Sequence, residues 1–153
     1  MVATTSASLD WKQFEQTLFS IYWQDAQAFL AANPQESIYA LALNGLYREQ
    51  DGPIYLPTLS ANSEQAYSQM VNVPEPQGRL SEFDLDTGQL GSLRWNPPDW
   101  EWEELDSASD SQELERLEQA LLAEANKSTP AHWLRTEAHL IKALTRILSL
   151  IHI

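Results

Sequence analysis

The chain contains no cysteine among its 153 residues, which excludes disulfide bonds, thiolate catalysis and cysteine-based metal sites. Basic residues are also scarce: 9 Lys and Arg stand against 22 Asp and Glu, for a formal net charge of −13. Such a surface repels the phosphate backbone and releases none of its counterions, which argues against nucleic-acid binding. The sequence also lacks an apolar run of about 20 residues, the length of a membrane span, and a basic, apolar N-terminal signal. We therefore expect a cytoplasmic protein without nucleic-acid or membrane partners.

Apolar residues are plentiful, at 43% of the chain with six Trp, five Tyr and four Phe, which is enough to build the core of one domain. Three segments show apolar residues at helical spacing. They predict a long amphipathic helix over residues 11–32, capped by Asp10 with Gln13, and two C-terminal helices, from Leu114 to Asn126 and from Trp133 to Ile147. A shorter helix, capped by Asn62, is predicted to run to about residue 71.

Five short runs have the character of strands: residues 38–43, 54–59, 80–85, 90–95 and 99–105. In the last run Trp100 and Trp102 alternate with Glu101 and Glu103, which predicts buried indoles opposite solvent-facing carboxylates. Together these elements predict an α+β fold: a mostly antiparallel sheet of about four or five strands, flanked by the long N-terminal helix and the two C-terminal helices.

The most distinctive motif reads Leu-Arg-Trp-Asn-Pro-Pro-Asp-Trp-Glu-Trp-Glu-Glu-Leu over residues 93–105 and holds three of the six tryptophans. It resembles the hallmark of a bacterial family known only as a domain of unknown function, in which Arg-Trp passes through a Pro-containing corner into Asp-Trp and another aromatic. Residues 39–44 and 54–64 resemble the family's first strand and its second strand leading into a helix. The resemblance implies a fold and no catalytic residue. In size and acidity the family resembles bacterial immunity proteins, which implies toxin neutralisation by analogy.

The same motif begins a run of eight acidic residues without a Lys or Arg: Asp99, Glu101, Glu103, Glu104, Asp106, Asp110, Glu113 and Glu115. This run is interpreted either as a solvated face that keeps the protein soluble or as a docking surface for a basic protein. We predict a non-enzymatic binding module, with Arg94, Trp95, Asp99, Glu101, Glu103, Glu104 and Asp106 as candidate binding residues. For Arg94 the structural interpretation is favoured: a bidentate bond to Asp99 across the Pro-Pro corner, with the indoles of Trp95 and Trp100 both packed into the core.

A metal-assisted hydrolase that uses the carboxylates between Asp99 and Glu103 is the alternative function. No cofactor or metal is predicted. His132 and His139 stand two helical turns apart, about 10 Å along the last helix, and are interpreted as ordinary surface or boundary residues.

The final six residues, Leu148–Ile153, match the translation of a sequencing-library adapter. On that interpretation they are a scar, residues 1–147 form a single domain truncated at its C-terminus, and deleting the six should leave stability and any activity essentially unchanged. The alternative is an ordinary apolar helix end.

Overall fold

The computed structural model describes residues 8–49, 52–72, 94–106, 111–127 and 129–151. Within these ranges the chain forms four α-helices, four short strands and one turn of 3-10 helix. In chain order they are α1 (Trp11–Ala32), β1 (Ile38–Asn44), β2 (Tyr47–Arg48), β3 (Ile54–Tyr55), β4 (Thr58–Ser63), α2 (Glu64–Asn72), the 3-10 helix (Pro97–Asp99), α3 (Ser111–Ala125) and α4 (Pro130–Leu150). The predicted α+β class is confirmed, but the sheet is smaller than predicted, because the four strands form two separate pairs.

The helix predictions are confirmed closely where a capping residue marks the start. The Asp10 carboxylate accepts the Gln13 backbone N–H at 3.1 Å, as an N-cap does. Thr129 caps α4 by accepting the His132 N–H, and Pro130 occupies the first turn. Asn62 is not the cap of α2: it lies in β4, and the Ser63 hydroxyl accepts the Ala66 N–H at 3.0 Å instead.

The chain divides into two compact units. The first unit comprises residues 1–24, 46–56 and 107–153, and the second comprises residues 25–45 and 57–106. In the first unit α3 and α4 pack together and β2 pairs antiparallel with β3. Its buried apolar residues follow helical spacing and include Phe14, Leu18, Leu121, Trp133, Leu140, Ala143 and Ile147.

The second unit is built around β4, which pairs antiparallel with β1 from Asn44↔Thr58 to Ile38↔Ser63. Leu59 and Ala61 of β4 are buried apolar residues of this unit. The predicted strand over residues 54–59 is divided at Leu56–Pro57, since β3 belongs to the pair in the first unit and β4 to the pair in the second. Proline lacks the N–H that a continuous ladder needs, and the division falls at that residue.

Two predicted strands cannot be compared fully with the structure. Residues 80–85 lie outside the described residues, and so do residues 90–93 of the run over 90–95. The last two residues of that run, Arg94 and Trp95, form a turn. Among the described residues, no helix combines the length and apolar character that a membrane crossing requires.

Candidate functional site

The acidic segment after the Pro-Pro corner follows the edge of β4 without forming a regular strand. The Ala61 N–H donates to the Trp102 carbonyl at 2.8 Å, and the Leu105 N–H donates to the Leu59 carbonyl at 2.8 Å. Three residue steps separate the two contacts on this segment, whereas two separate them on β4. The segment therefore contains one extra residue, as a β-bulge does.

The extra residue corrects the predicted strand over 99–105. Strict alternation would place Glu104 on the same face as Trp100 and Trp102, but the bulge moves it to solvent and brings Leu105 inward. Leu105 is buried, and both Glu103 and Glu104 are exposed. A bulge thus presents two consecutive carboxylates where a regular strand would present one.

The prediction that both indoles are buried is confirmed for Trp100 and confirmed only in part for Trp102. Trp100 is buried at 4% exposure, while Trp102 is only half-buried and packs edge-on against Phe29 at 5.1 Å between ring centroids. Glu101 and Glu103 are exposed, as the alternation predicts. We refer to Glu101, Glu103, Glu104 and Asp106, all exposed residues of the second unit, as the acidic edge.

Part of the acidic edge borders a polar depression. Glu103 and Glu104 line it together with Asn44, Gly45 and Thr58, and its volume is about 390 Å³. It lies at the end of the β1–β4 pair where Asn44 is opposite Thr58. Gly45 turns the chain there with φ at +77°, a conformation that suits glycine. The two carboxylates therefore stand on a concave surface that the ends of the strand pair create.

Arg94 does not bond Asp99 across the corner, contrary to the bidentate pair considered from the sequence. Its guanidinium pairs instead with the Glu64 carboxylate, at the start of α2. Asp99 accepts a hydrogen bond from the Asn96 side chain, which closes the corner locally. The hydrogen bond to Glu64 is the main reason that the pKa of Arg94 lies above its ordinary value.

Aromatic rings surround the Arg94 guanidinium. Its central carbon lies 4.2 Å from the ring centroid of Tyr39, 5.0 Å from that of Tyr67 and 5.7 Å from that of Trp95. All three distances fall within the reach of a cation–π interaction, which is about 6 Å. Trp95 packs edge-on against Tyr39 at 5.5 Å, yet 63% of its surface remains exposed, so the core position expected for this indole is wrong.

Hydrogen bonds fix the backbone carbonyl of Arg94. The Arg94 carbonyl accepts one hydrogen bond from the Tyr39 hydroxyl at 2.8 Å and another from the Trp100 indole at 3.1 Å. The Tyr39 hydroxyl in turn accepts from the Asn62 amide at 2.9 Å. Burial is the largest influence on Tyr39 and raises its pKa, so the hydroxyl keeps its proton and acts as a donor here.

The structure brings the candidate binding residues into one unit and adds neighbours that the sequence reasoning missed. Tyr39, Glu64 and Tyr67 were not among the candidates, although they form the surroundings of Arg94. Tyr39 lies in β1 and the other two in α2. No local pattern marks them, because their relation to Arg94 arises only when residues about 30 and 55 positions away fold onto it.

The histidines and carboxylates were also considered as metal ligands. His132 is half-buried, with Nε2 2.9 Å from the backbone carbonyl of Glu124. His139 is exposed, and its ring lies tilted against that of Trp11 with 5.1 Å between the centroids. Across the ranges that the structure describes, no three His, Cys, Asp or Glu residues are grouped to hold a metal ion.

Comparison with known proteins assigns a family. The model of the family described as Domain of unknown function (DUF4303) matches residues 20–151, which include both units' described strands and the Arg-Trp to Asp-Trp motif. No curated protein and no solved structure matches the chain.

Proposed function

The chain belongs to the DUF4303 family of domains of unknown function, and we propose that it is a binding module that docks a positively charged protein through the second unit. The observation that supports this most directly is the exposure of Trp95 in the same short segment as the acidic edge. An exposed indole that neighbouring side chains hold in place is the type of residue that anchors protein interfaces.

The acidic edge and Trp95 would make different contributions to binding. Four exposed carboxylates within six residues, in a chain of net charge −13, create a negative field that attracts a basic partner from a distance. Such a field raises the association rate more than it raises the final affinity. Trp95 would instead slow dissociation, since it offers a large apolar contact that becomes buried in the complex. Neutralisation of a basic toxin is the most concrete form of this function.

The first experiment compares two variants that each remove two negative charges. The variant E103Q/E104Q changes the acidic edge, whereas E49Q/E115Q changes two exposed carboxylates of the first unit. The partner is captured on the wild-type protein at low salt from a lysate of the source organism and identified, and its association is then timed by stopped flow. Far-UV circular dichroism confirms that both variants fold.

We expect E103Q/E104Q to slow association severalfold and E49Q/E115Q to slow it less. The difference should fade between about 0.01 M and about 0.1 M salt, as the Debye length falls from about 30 Å to about 10 Å. Trp95→Ala should mainly speed dissociation. Equal effects of the two double variants, or an association rate that ignores salt, would make the acidic edge a solubility feature and contradict the proposal.

A further inference from the structure

The surroundings of Arg94 have the composition of a cation-binding site. The rings of Tyr39, Tyr67 and Trp95 all lie within about 6 Å of the guanidinium, and Glu64 pairs with it through a carboxylate. Aromatic rings that converge on a positive charge are the arrangement with which proteins recognise guanidinium and alkylammonium groups. We call Tyr39, Tyr67, Trp95 and Glu64 the aromatic cage.

Most of the cage is built independently of the cation inside it. Tyr39 is held by hydrogen bonds from Asn62 and to the Arg94 backbone carbonyl, neither of which involves the guanidinium. Tyr67 and Glu64 are placed by α2, whose first turn is capped by the Ser63 hydroxyl. The cage walls therefore have reasons to keep their positions if the guanidinium leaves.

The guanidinium itself is placed to exchange. The Arg94 side chain is 26% exposed, and that of its partner Glu64 is 49% exposed, so the ion pair borders solvent. Water and salt weaken a pair in that position. Two hydrogen bonds fix the Arg94 carbonyl, so the position of its backbone does not depend on the guanidinium.

We infer that Arg94 is an internal occupant of the aromatic cage, and that an arginine side chain of the basic partner displaces it on binding. The identity of this partner rests on the proposed function; the cage itself does not. Replacement of one guanidinium by another preserves the cation–π and carboxylate contacts, so the exchange sacrifices few interactions. Only molecules whose cage is empty can bind the partner's arginine. The apparent affinity for that arginine is therefore the intrinsic affinity multiplied by the fraction of molecules with an empty cage.

The first test uses small probes on the full chain. N-acetyl-arginine methylamide carries the guanidinium, and N-acetyl-citrulline methylamide has nearly the same shape without the charge. Binding is followed by NMR through the indole N–H signal of Trp95. Arg94→Ala empties the cage, and Arg94→Gln is a second variant that keeps more of the side chain. Arg48→Ala is the control, because it removes the same charge from an exposed position in the first unit.

We expect Arg94→Ala and Arg94→Gln to bind the arginine probe at least fivefold more tightly than the wild type or Arg48→Ala. The citrulline probe should show no such gain, and adding Tyr67→Ala to Arg94→Ala should abolish it. The inference is overturned if the Arg94 variants bind the arginine probe no better than Arg48→Ala, or if they gain equally for citrulline.

The second test uses the identified partner and separates the cage from the proposed function. Arg94→Ala should increase affinity for the partner, whereas an arginine that contacts the partner directly would cause a loss when removed. If the small probe gains affinity but no basic partner docks, the cage stands and the docking function fails. If a basic partner docks through the acidic edge while the Arg94 variants gain affinity for neither the arginine probe nor the partner, the docking function stands and the cage inference fails.

Discussion

Two tryptophans five residues apart should differ sharply in what they contribute to stability. Trp100 is 4% exposed, and its indole donates to the Arg94 carbonyl at 3.1 Å, whereas Trp95 is 63% exposed. Truncating a buried tryptophan to alanine typically costs about 3–5 kcal/mol, because apolar burial is lost and a cavity remains. Trp100→Ala should fall in that range, while Trp95→Ala should cost less than about 1 kcal/mol.

Trp100→Phe divides the larger effect into its parts. Phenylalanine keeps most of the ring burial but cannot donate to the Arg94 carbonyl, which still accepts the Tyr39 hydroxyl at 2.8 Å. One hydrogen bond contributes about 0.5–1.5 kcal/mol net, and the smaller ring leaves a small void. We therefore expect Trp100→Phe to lower the free energy of unfolding by about 1–2 kcal/mol, more than Trp95→Ala and less than Trp100→Ala.

The measurement is urea unfolding followed by far-UV circular dichroism, since removing tryptophan alters the fluorescence signal itself. The slopes against urea are compared as well as the midpoints, because a changed slope shows altered compactness of one state or a loss of two-state unfolding. The reasoning is refuted if Trp95→Ala destabilises the protein as much as Trp100→Ala, or if Trp100→Ala remains within about 1 kcal/mol of the wild type.

Two further predictions address the bulge and a buried carboxylate. Deleting Glu104 removes the extra residue of the bulge and keeps the apolar residues in phase, whereas deleting Glu101 places Trp100 and Trp102 on opposite faces. The first deletion should therefore lower the urea midpoint far less than the second. Equal losses of midpoint would contradict the bulge. Burial raises the pKa of Glu124, but hydrogen bonds from Lys127 and the Leu9 backbone outweigh it and leave the pKa below its ordinary value. Its stabilisation is complete above the ordinary pKa and is lost as the pH falls through the lower folded value. Glu124→Gln should therefore cost about 1–3 kcal/mol near neutral pH, and a difference from the wild type that persists in strong acid would count against this assignment.

Local patterns predicted the helices because a helix is specified by neighbouring residues. The predicted first helix over 11–32 coincides with α1, and the N-cap at Asp10 is confirmed. The two C-terminal helices are found as α3 and α4, and each observed end lies within three residues of the predicted one. Periodic apolar spacing and a capping side chain act over one or two turns, so they can be read directly from the chain.

The strands were harder to predict, because a strand depends on a partner that the local sequence does not name. Residues 54–59 look like one apolar run, but they separate into β3 and β4, with different partners. The run after the Pro-Pro corner alternates as a strand should, yet the consecutive Glu103 and Glu104 before Leu105 accommodate a bulge. That doubling was visible in the sequence, and it is the one local signal that could have corrected the prediction.

The sequence by itself determined the class of the protein: an acidic α+β chain without cysteine chemistry, with four helices in their places, that belongs to the DUF4303 family. Only the tertiary structure decided that Arg94 pairs with Glu64, that Trp95 stays in solvent while Trp100 is buried, and that Tyr39 and Tyr67 meet at one guanidinium. Composition and periodicity act between neighbours along the chain and leave a pattern there. The site depends on contacts between residues far apart in sequence, which exist only after strands and helices have packed.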